Sequence, residues 1–156
     1  MGRVLGGLLK GAAAGAAGAT ALDTVSYLDM VLRGRAASTT PQATVEALSA
    51  AVHVPVPGDG EQREHRVTAL GALSGIAAGV GMGALLGAAR AAGFRPGTAA
   101  TYAAAGVLAL IGTNGPMTVL KVTDPRTWSR TDWVADIVPH LAYAGVATAV
   151  LDRLEP

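Results

Sequence analysis

Charged residues divide this chain into four long apolar runs, and their spacing predicts its architecture. Residues 4–32, 67–90, 98–120 and 133–152 read as helices. Polar connectors at 33–66 and 121–132 and a short turn at Pro96-Gly97 separate them. Residues 67–89, between Arg66 and Arg90, and 96–120, between Arg95 and Lys121, carry no charge at all. A helix needs about 20 apolar residues to cross the ~30 Å hydrocarbon layer of a bilayer. The reading is therefore all-α: a polytopic membrane protein with one domain over residues 1–156, built as a four-helix transmembrane bundle. The two long connectors then share one side of the membrane, and both termini share the other side with the short turn. Within the first connector, Thr40 is suited to cap a helix with Pro41 in its first turn. Val45, Leu48 and Val52 fall on one face, which predicts a short amphipathic helix on the membrane surface or over the bundle. The following VPVPGDGEQREHR reads as a turn-and-charge linker in which His53 and His65 are solvated.

Small residues refine this picture. Gly7, Gly11 and Gly15 recur every four residues in the first run, with Ala14 and Gly18 in a parallel row. Gly71 and Gly75, then Gly79, Gly83 and Gly87, repeat the spacing in the second run. Such stripes let helices approach closely in lipid, where van der Waals packing replaces the hydrophobic drive. In water each glycine would cost a helix about 1 kcal/mol relative to Ala. The first two runs are thus expected to pack on each other, and the stripes also offer a surface to a second copy or another membrane protein. A cleaved signal peptide, with Arg3 as the positive region and Ala19-Thr20-Ala21 as the site, competes for the first run. Lys10 splits its apolar core, however, and the helical pattern continues through Asp23, Tyr27 and Met30. A soluble Ala-rich bundle would have to bury two uncharged runs in a short chain, where surface helices should show polar residues every turn.

Most residues able to do chemistry lie in the last third. Asn114-Gly115-Pro116 interrupts the third run: Pro116 has no N–H and disfavours helical geometry at Gly115. The segment is expected to depart from continuous helix, with Asn114 capping the freed backbone and the Thr113 and Thr118 hydroxyls assisting. A simple proline kink and a broken helix lining a polar cavity are both consistent with this pattern. Trp128 and Trp133 suit a membrane–water boundary, Asp124-Pro125 marks a turn, and Ser129 or Thr131 can cap the last helix. Asp132, Asp136 and His140 then fall four apart along one helix face, with Tyr143 nearly in line and Pro139 a further kink point. In the first run Asp23 and Tyr27 are also four apart; at that depth the carboxylate faces protein or water, unless it already reaches the interface.

Pro116-Met117, Thr123, Pro125 and the run Asp136-Ile137-Val138-Pro139-His140-Leu141 resemble the YagU-like bacterial inner-membrane proteins, as does the Gly/Ala-rich first helix in character. The resemblance covers the last 40 or so residues, with Asp136 where the family pattern has Glu, Pro139 inserted before the His, and a much shorter chain. It implies a multi-pass protein of the bacterial inner membrane and lends no reaction.

Composition agrees with a membrane setting: 51% of residues are hydrophobic and mean hydropathy is +0.40. The net charge of +1 shows no nucleic-acid footprint. The absence of cysteine excludes disulfides, thiolate chemistry and Cys-based metal sites. The GxG pieces lack the strand and the Lys-Ser/Thr of a nucleotide site, and no cofactor is expected. The connector side carries Lys/Arg at 33, 35, 63, 66, 121, 126 and 130, against 3, 10, 90, 95 and 153 on the other side, a slight lean towards cytoplasmic connectors. Arg35, Ser38 and Thr40 recur as Arg126, Ser129 and Thr131, consistent with a duplicated helix–connector–helix unit. The preferred function is a transporter-like or partner-binding bundle with a polar cavity near Asn114, Asp136 and His140. The bilayer is its expected partner. The alternative is a membrane-embedded, metal-dependent enzyme using Asp132, Asp136 and His140. It is set second because a third or fourth ligand would have to come from Asp23, Asp29, Glu46 or Asp124. The preferred reading rests on the tendency of intramembrane ionisable residues to mark pathways. Paired Asp136 and His140 would make a proton-sensing or proton-coupled site.

Overall fold

The computed structural model describes residues 2–154. The described residues form five α-helices: α1 (Gly2–Arg33), α2 (Thr40–Val52), α3 (Gly60–Ala91), α4 (Thr98–Val119) and α5 (Arg130–Leu154). A 3-10 turn at Pro125–Thr127 precedes α5, and there is no strand among the described residues. Three helices, α1, α3 and α5, are long and apolar enough to cross a membrane. Helix α4 has 22 residues and no charge, but Thr101, Tyr102, Thr113, Asn114 and Pro116 dilute its apolar character.

Helix α1 is the hub, touching α3 most extensively and α5 next. Its two rows of small residues serve different neighbours. The Gly7–Gly11–Gly15 row meets the Gly79–Gly83–Gly87 row of α3, backbone against backbone: a Cβ on Gly11 would run into the Gly83 carbonyl, and one on Gly83 into the Gly11 carbonyl. The second row faces α5, where a Cβ on Gly18 would lie 2.7 Å from the Tyr143 ring and Ala14 joins Ala144 and Leu151 in a core cluster. The α3 stripe also divides: Gly71 receives Pro41 of α2, whereas a Cβ on Gly75 would meet nothing. Helix α1 ends at Gly34, whose φ of +62° is the left-handed geometry that glycine accepts without steric cost.

Three expectations about element limits are corrected. Helix α3 starts at Gly60 rather than near Val67, so GEQREHR is helical; Asp59 is at the N-cap position and Glu61 favours the positive end of the dipole. The α2 cap position is Thr39, one residue earlier than expected, and the Thr40 N–H is held by the Ser38 hydroxyl. Most importantly, α4 runs unbroken through Asn114-Gly115-Pro116. Neighbouring helices and hydroxyl groups can sustain a helix past a missing N–H. Thr113 donates to the Ala109 carbonyl and Thr118 to the Asn114 carbonyl.

The amphipathic connector helix α2 leans on α3 through Pro41 and a Glu46–Arg63 ion pair. The Arg63 guanidinium, hydrogen-bonded to Glu46, holds that carboxyl below the usual glutamate range. Leu48 and Val52 of its apolar face stay exposed.

The α1–α3 contact admits no added side-chain atom, whereas Gly75 is free. Gly11→Ala should therefore cost about 1–3 kcal/mol of stability in detergent through overpacking. Gly75→Ala should gain up to about 1 kcal/mol from helix propensity. Equal thermal midpoints for the two variants would contradict the assigned contact.

Candidate functional site

The polar residues of the last third converge between α4 and α5. Thr113 and Asn114 are consecutive on α4; Asp136 and His140 are one turn apart on α5. The Asn114 Nδ2 donates to Asp136 Oδ2 at 2.9 Å, and Thr113 Oγ1 lies 3.0 Å from His140 Nε2. Asn114 is therefore not a cap for freed backbone, as expected from the proline; its amide is spent across the helix interface. His140 is 6% exposed and Asp136 is half-buried, so the cluster sits inside the bundle with one edge open.

The His140 ring has a defined hydrogen-bond logic. Its Nδ1 lies 2.7 Å from the backbone carbonyl of Asp136, an acceptor only, so Nδ1 must carry a proton. The Asp136 carboxylate is near but not primary: its Oδ1 is 3.6 Å from Nδ1. The expected side-chain pair is thus a proximity, with the stronger bond going to the peptide carbonyl. At Nε2 the partner is a hydroxyl, able to donate or accept. A neutral imidazole needs the Thr113 proton there. An imidazolium donates instead, which lets Thr113 keep its bond to Ala109. Both prolines sit at this layer. Pro116 removes the N–H that would bond the Gly112 carbonyl, and Pro139 does the same to Ala135, each next to a member of the cluster.

Tyr143 extends the α5 stripe inward. It is 2% exposed and its hydroxyl donates to the Gly79 carbonyl of α3 at 2.7 Å. An aromatic side chain with a polar tip fits there because Gly79 and Gly18 leave room for its ring.

Three other candidates lie elsewhere. Asp132 forms a reciprocal capping box with Ser129: the carboxylate accepts from the Ser129 N–H and hydroxyl, and Ser129 Oγ accepts from the Asp132 N–H. It closes the start of α5 and points away from His140. Asp23 and Tyr27 are exposed on the outer face of α1, apart from the cluster. Among the described residues no three of His, Asp and Glu come close enough to hold a metal ion.

Sequence reasoning missed a second polar contact at the opposite end of the bundle. Arg90, 7% exposed, bonds Asp152 at 2.5 Å and Thr101 Oγ1 at 3.0 Å, while Thr98 donates to the other Asp152 oxygen. This network joins α3, α4 and α5. Its only signal in the sequence was that Arg90 and Asp152 both terminate apolar runs on the side of the short turn. Trp128 and Trp133 pack edge to face at 5.1 Å, and Trp128 Nε1 donates to Thr123. Beside them the Arg126 guanidinium, bonded to Asp124, holds that carboxyl below the usual range.

Comparison with known proteins finds no match among family models, curated proteins or solved structures.

The Asn114–Asp136 bond should appear as coupling. A double-mutant cycle with Asn114→Ala and Asp136→Ala, read by unfolding in detergent, should give ~0.5–2 kcal/mol of interaction. Additive losses would show that the two side chains do not interact.

Proposed function

We propose that the protein is a small multi-pass bacterial inner-membrane protein, similar to the YagU-like family, with a transporter-like, proton-responsive site between its last two helices. On this reading α1, α3, α4 and α5 all cross the bilayer. Helix α4 completes the set because it is uncharged and runs between a short loop after α3 and a polar connector before α5. The polar residues that lower its hydropathy are those turned to use: Thr101 bonds Arg90, and Thr113 and Asn114 bond the α5 pair.

The observation that carries the functional reading is the four-residue cluster itself, a carboxylate and an imidazole held by α4 side chains in an apolar bundle. Ionisable groups at such positions are costly and characteristically belong to proton or solute pathways. Protonation at His140 Nε2 has a specific consequence here. The Thr113 hydroxyl turns from donor to acceptor across the α4–α5 interface and returns its proton to the Ala109 carbonyl. The Asp136 carboxylate offsets the added charge from 3.6 Å. A proton is thereby linked to the hydrogen bonds that join two helices, the kind of linkage a proton-coupled conformational change requires. The metal-dependent enzyme reading gains no support from these contacts, since Asp132 is occupied in its capping box and among the described residues no third ligand approaches the pair.

Reconstitution into liposomes enclosing a pH-reporting dye tests the proposal. Under an imposed pH gradient the wild type should dissipate it faster than Asp136→Asn and His140→Gln variants incorporated to the same level. Rates equal to those of protein-free liposomes, or unchanged by both substitutions, would overturn the proton-coupled reading.

A further inference from the structure

The cluster does not use the groove between α1 and α5 at their connector-side ends. This cavity, about 360 Å³, has walls of Val25, Val134 and Val138 and a rim of Asp29, Arg33 and Arg130. Its polarity is graded along the helix axis. Arg130 is at the first residue of α5 and Val138 lies eight residues further in, about 12 Å deeper at the ordinary helical rise. Trp133 marks the boundary between the two levels and is exposed.

The rim has cationic capacity to spare. Asp29 is engaged by both Arg33 and Arg35, and Asp132, hydrogen-bonded to Ser129, keeps its charge and acts on Arg33 through space, so three arginines face two carboxylates. Arg33 spends its Nε and one terminal nitrogen on Asp29, leaving the other free. Arg130 is exposed and joins none of the ion pairs among the described residues. An occupant that matches this lining is anionic at the rim and apolar beneath it, along Val25, Val134 and Val138. A free phosphate would satisfy the arginines and leave the valine walls empty. An uncharged chain would fill the walls and leave the arginines unmatched.

We propose that this groove seats an anionic phospholipid, with its phosphate at Arg33 and Arg130 and an acyl chain along Val25, Val134 and Val138. The site rests on the membrane reading above and is independent of the proton-responsive cluster. Arginine supplies planar N–H donors suited to a phosphate, and a cation at the membrane surface favours anionic lipid by a factor of about five. The same contact would tie the starts of α5 and the end of α1 to one leaflet, next to the helix that bears Asp136 and His140.

Both tryptophans of the chain lie at this end, Trp133 on α5 and Trp128 packed against it. Their fluorescence therefore reports on lipid seated nearby. The protein is reconstituted in phosphatidylcholine nanodiscs containing the same fraction of either brominated phosphatidylglycerol or brominated phosphatidylcholine. With that fraction raised stepwise in both series, phosphatidylglycerol should reach half-maximal quenching at an about fivefold lower fraction. That preference should vanish in Arg130→Gln, whose side chain holds nothing else in place. Val138→Phe, which fills the groove floor, should weaken it while leaving Arg130 intact. Equal quenching by the two lipids, or an undiminished preference in Arg130→Gln, would overturn the site. Release of the protein from carbonate-washed membranes would instead overturn the membrane reading, so the two failures are separable.

Discussion

The closest physical constraint in this protein is the approach of α1 to α3, where the facing backbones meet with no side chain between them. A Cβ at Gly11, Gly15, Gly83 or Gly87 would enter the backbone of the other helix. In lipid, where there is no hydrophobic force to press helices together, such close packing is a main source of association. The consequence runs outward from this pair. With α3 drawn close on one side, α1 keeps its other small row, Ala14 and Gly18, for α5, and Tyr143 inserts beside Gly18 to reach the Gly79 carbonyl. Helix α5 is thus fixed against α1 and α3 at Tyr143, one turn below His140.

From that anchor the polar chemistry has defined partners. The α4–α5 interface carries two polar layers, Thr113–Asn114 with Asp136–His140 near one end and Thr98–Thr101 with Asp152 and Arg90 near the other. Between them the contact is made by small residues such as Ala105, Ala109, Ala144 and Ala147. Hydrogen bonds formed away from water specify which helix faces meet, because an unmatched polar group there costs more than a matched one contributes. An arrangement held by two polar layers and a thin apolar middle can register a change in one layer, because few other contacts hold these two helix faces in place.

How much of this was legible in the sequence depends on the range of the interaction. Periodicity and small-residue spacing are local, and they exposed the long helices and the Gly7–Gly11–Gly15 and Gly79–Gly83–Gly87 faces. The four-residue spacing of Asp136 and His140 likewise put them on one face. What the α4 side supplies was less visible. The proline in Asn114-Gly115-Pro116 is a local breaker, yet the helix runs on through it, and the Asn114 amide bonds Asp136 across the helix interface instead. Asp132 has the same spacing as Asp136 and His140, yet its place in the first turn diverts it to Ser129. Asp23 and Tyr27 share a face, though it is the outer one, which only the partner choice of α1 determines. The Arg90–Asp152 pair joins residues 62 positions apart, and the ends of two apolar runs do not say that their charges meet.

If α4 crosses the bilayer along with α1, α3 and α5, the cluster lies within a four-helix membrane bundle. The chain contains no cysteine, which makes single-cysteine labelling by a membrane-impermeant reagent direct. Cysteines at Ser49 and Thr127, in the two connectors, should label from one side, and a cysteine at Gly93, in the loop between α3 and α4, only from the other. Labelling of Gly93→Cys and Thr127→Cys from the same side would mean that α4 does not cross, and would contradict the account.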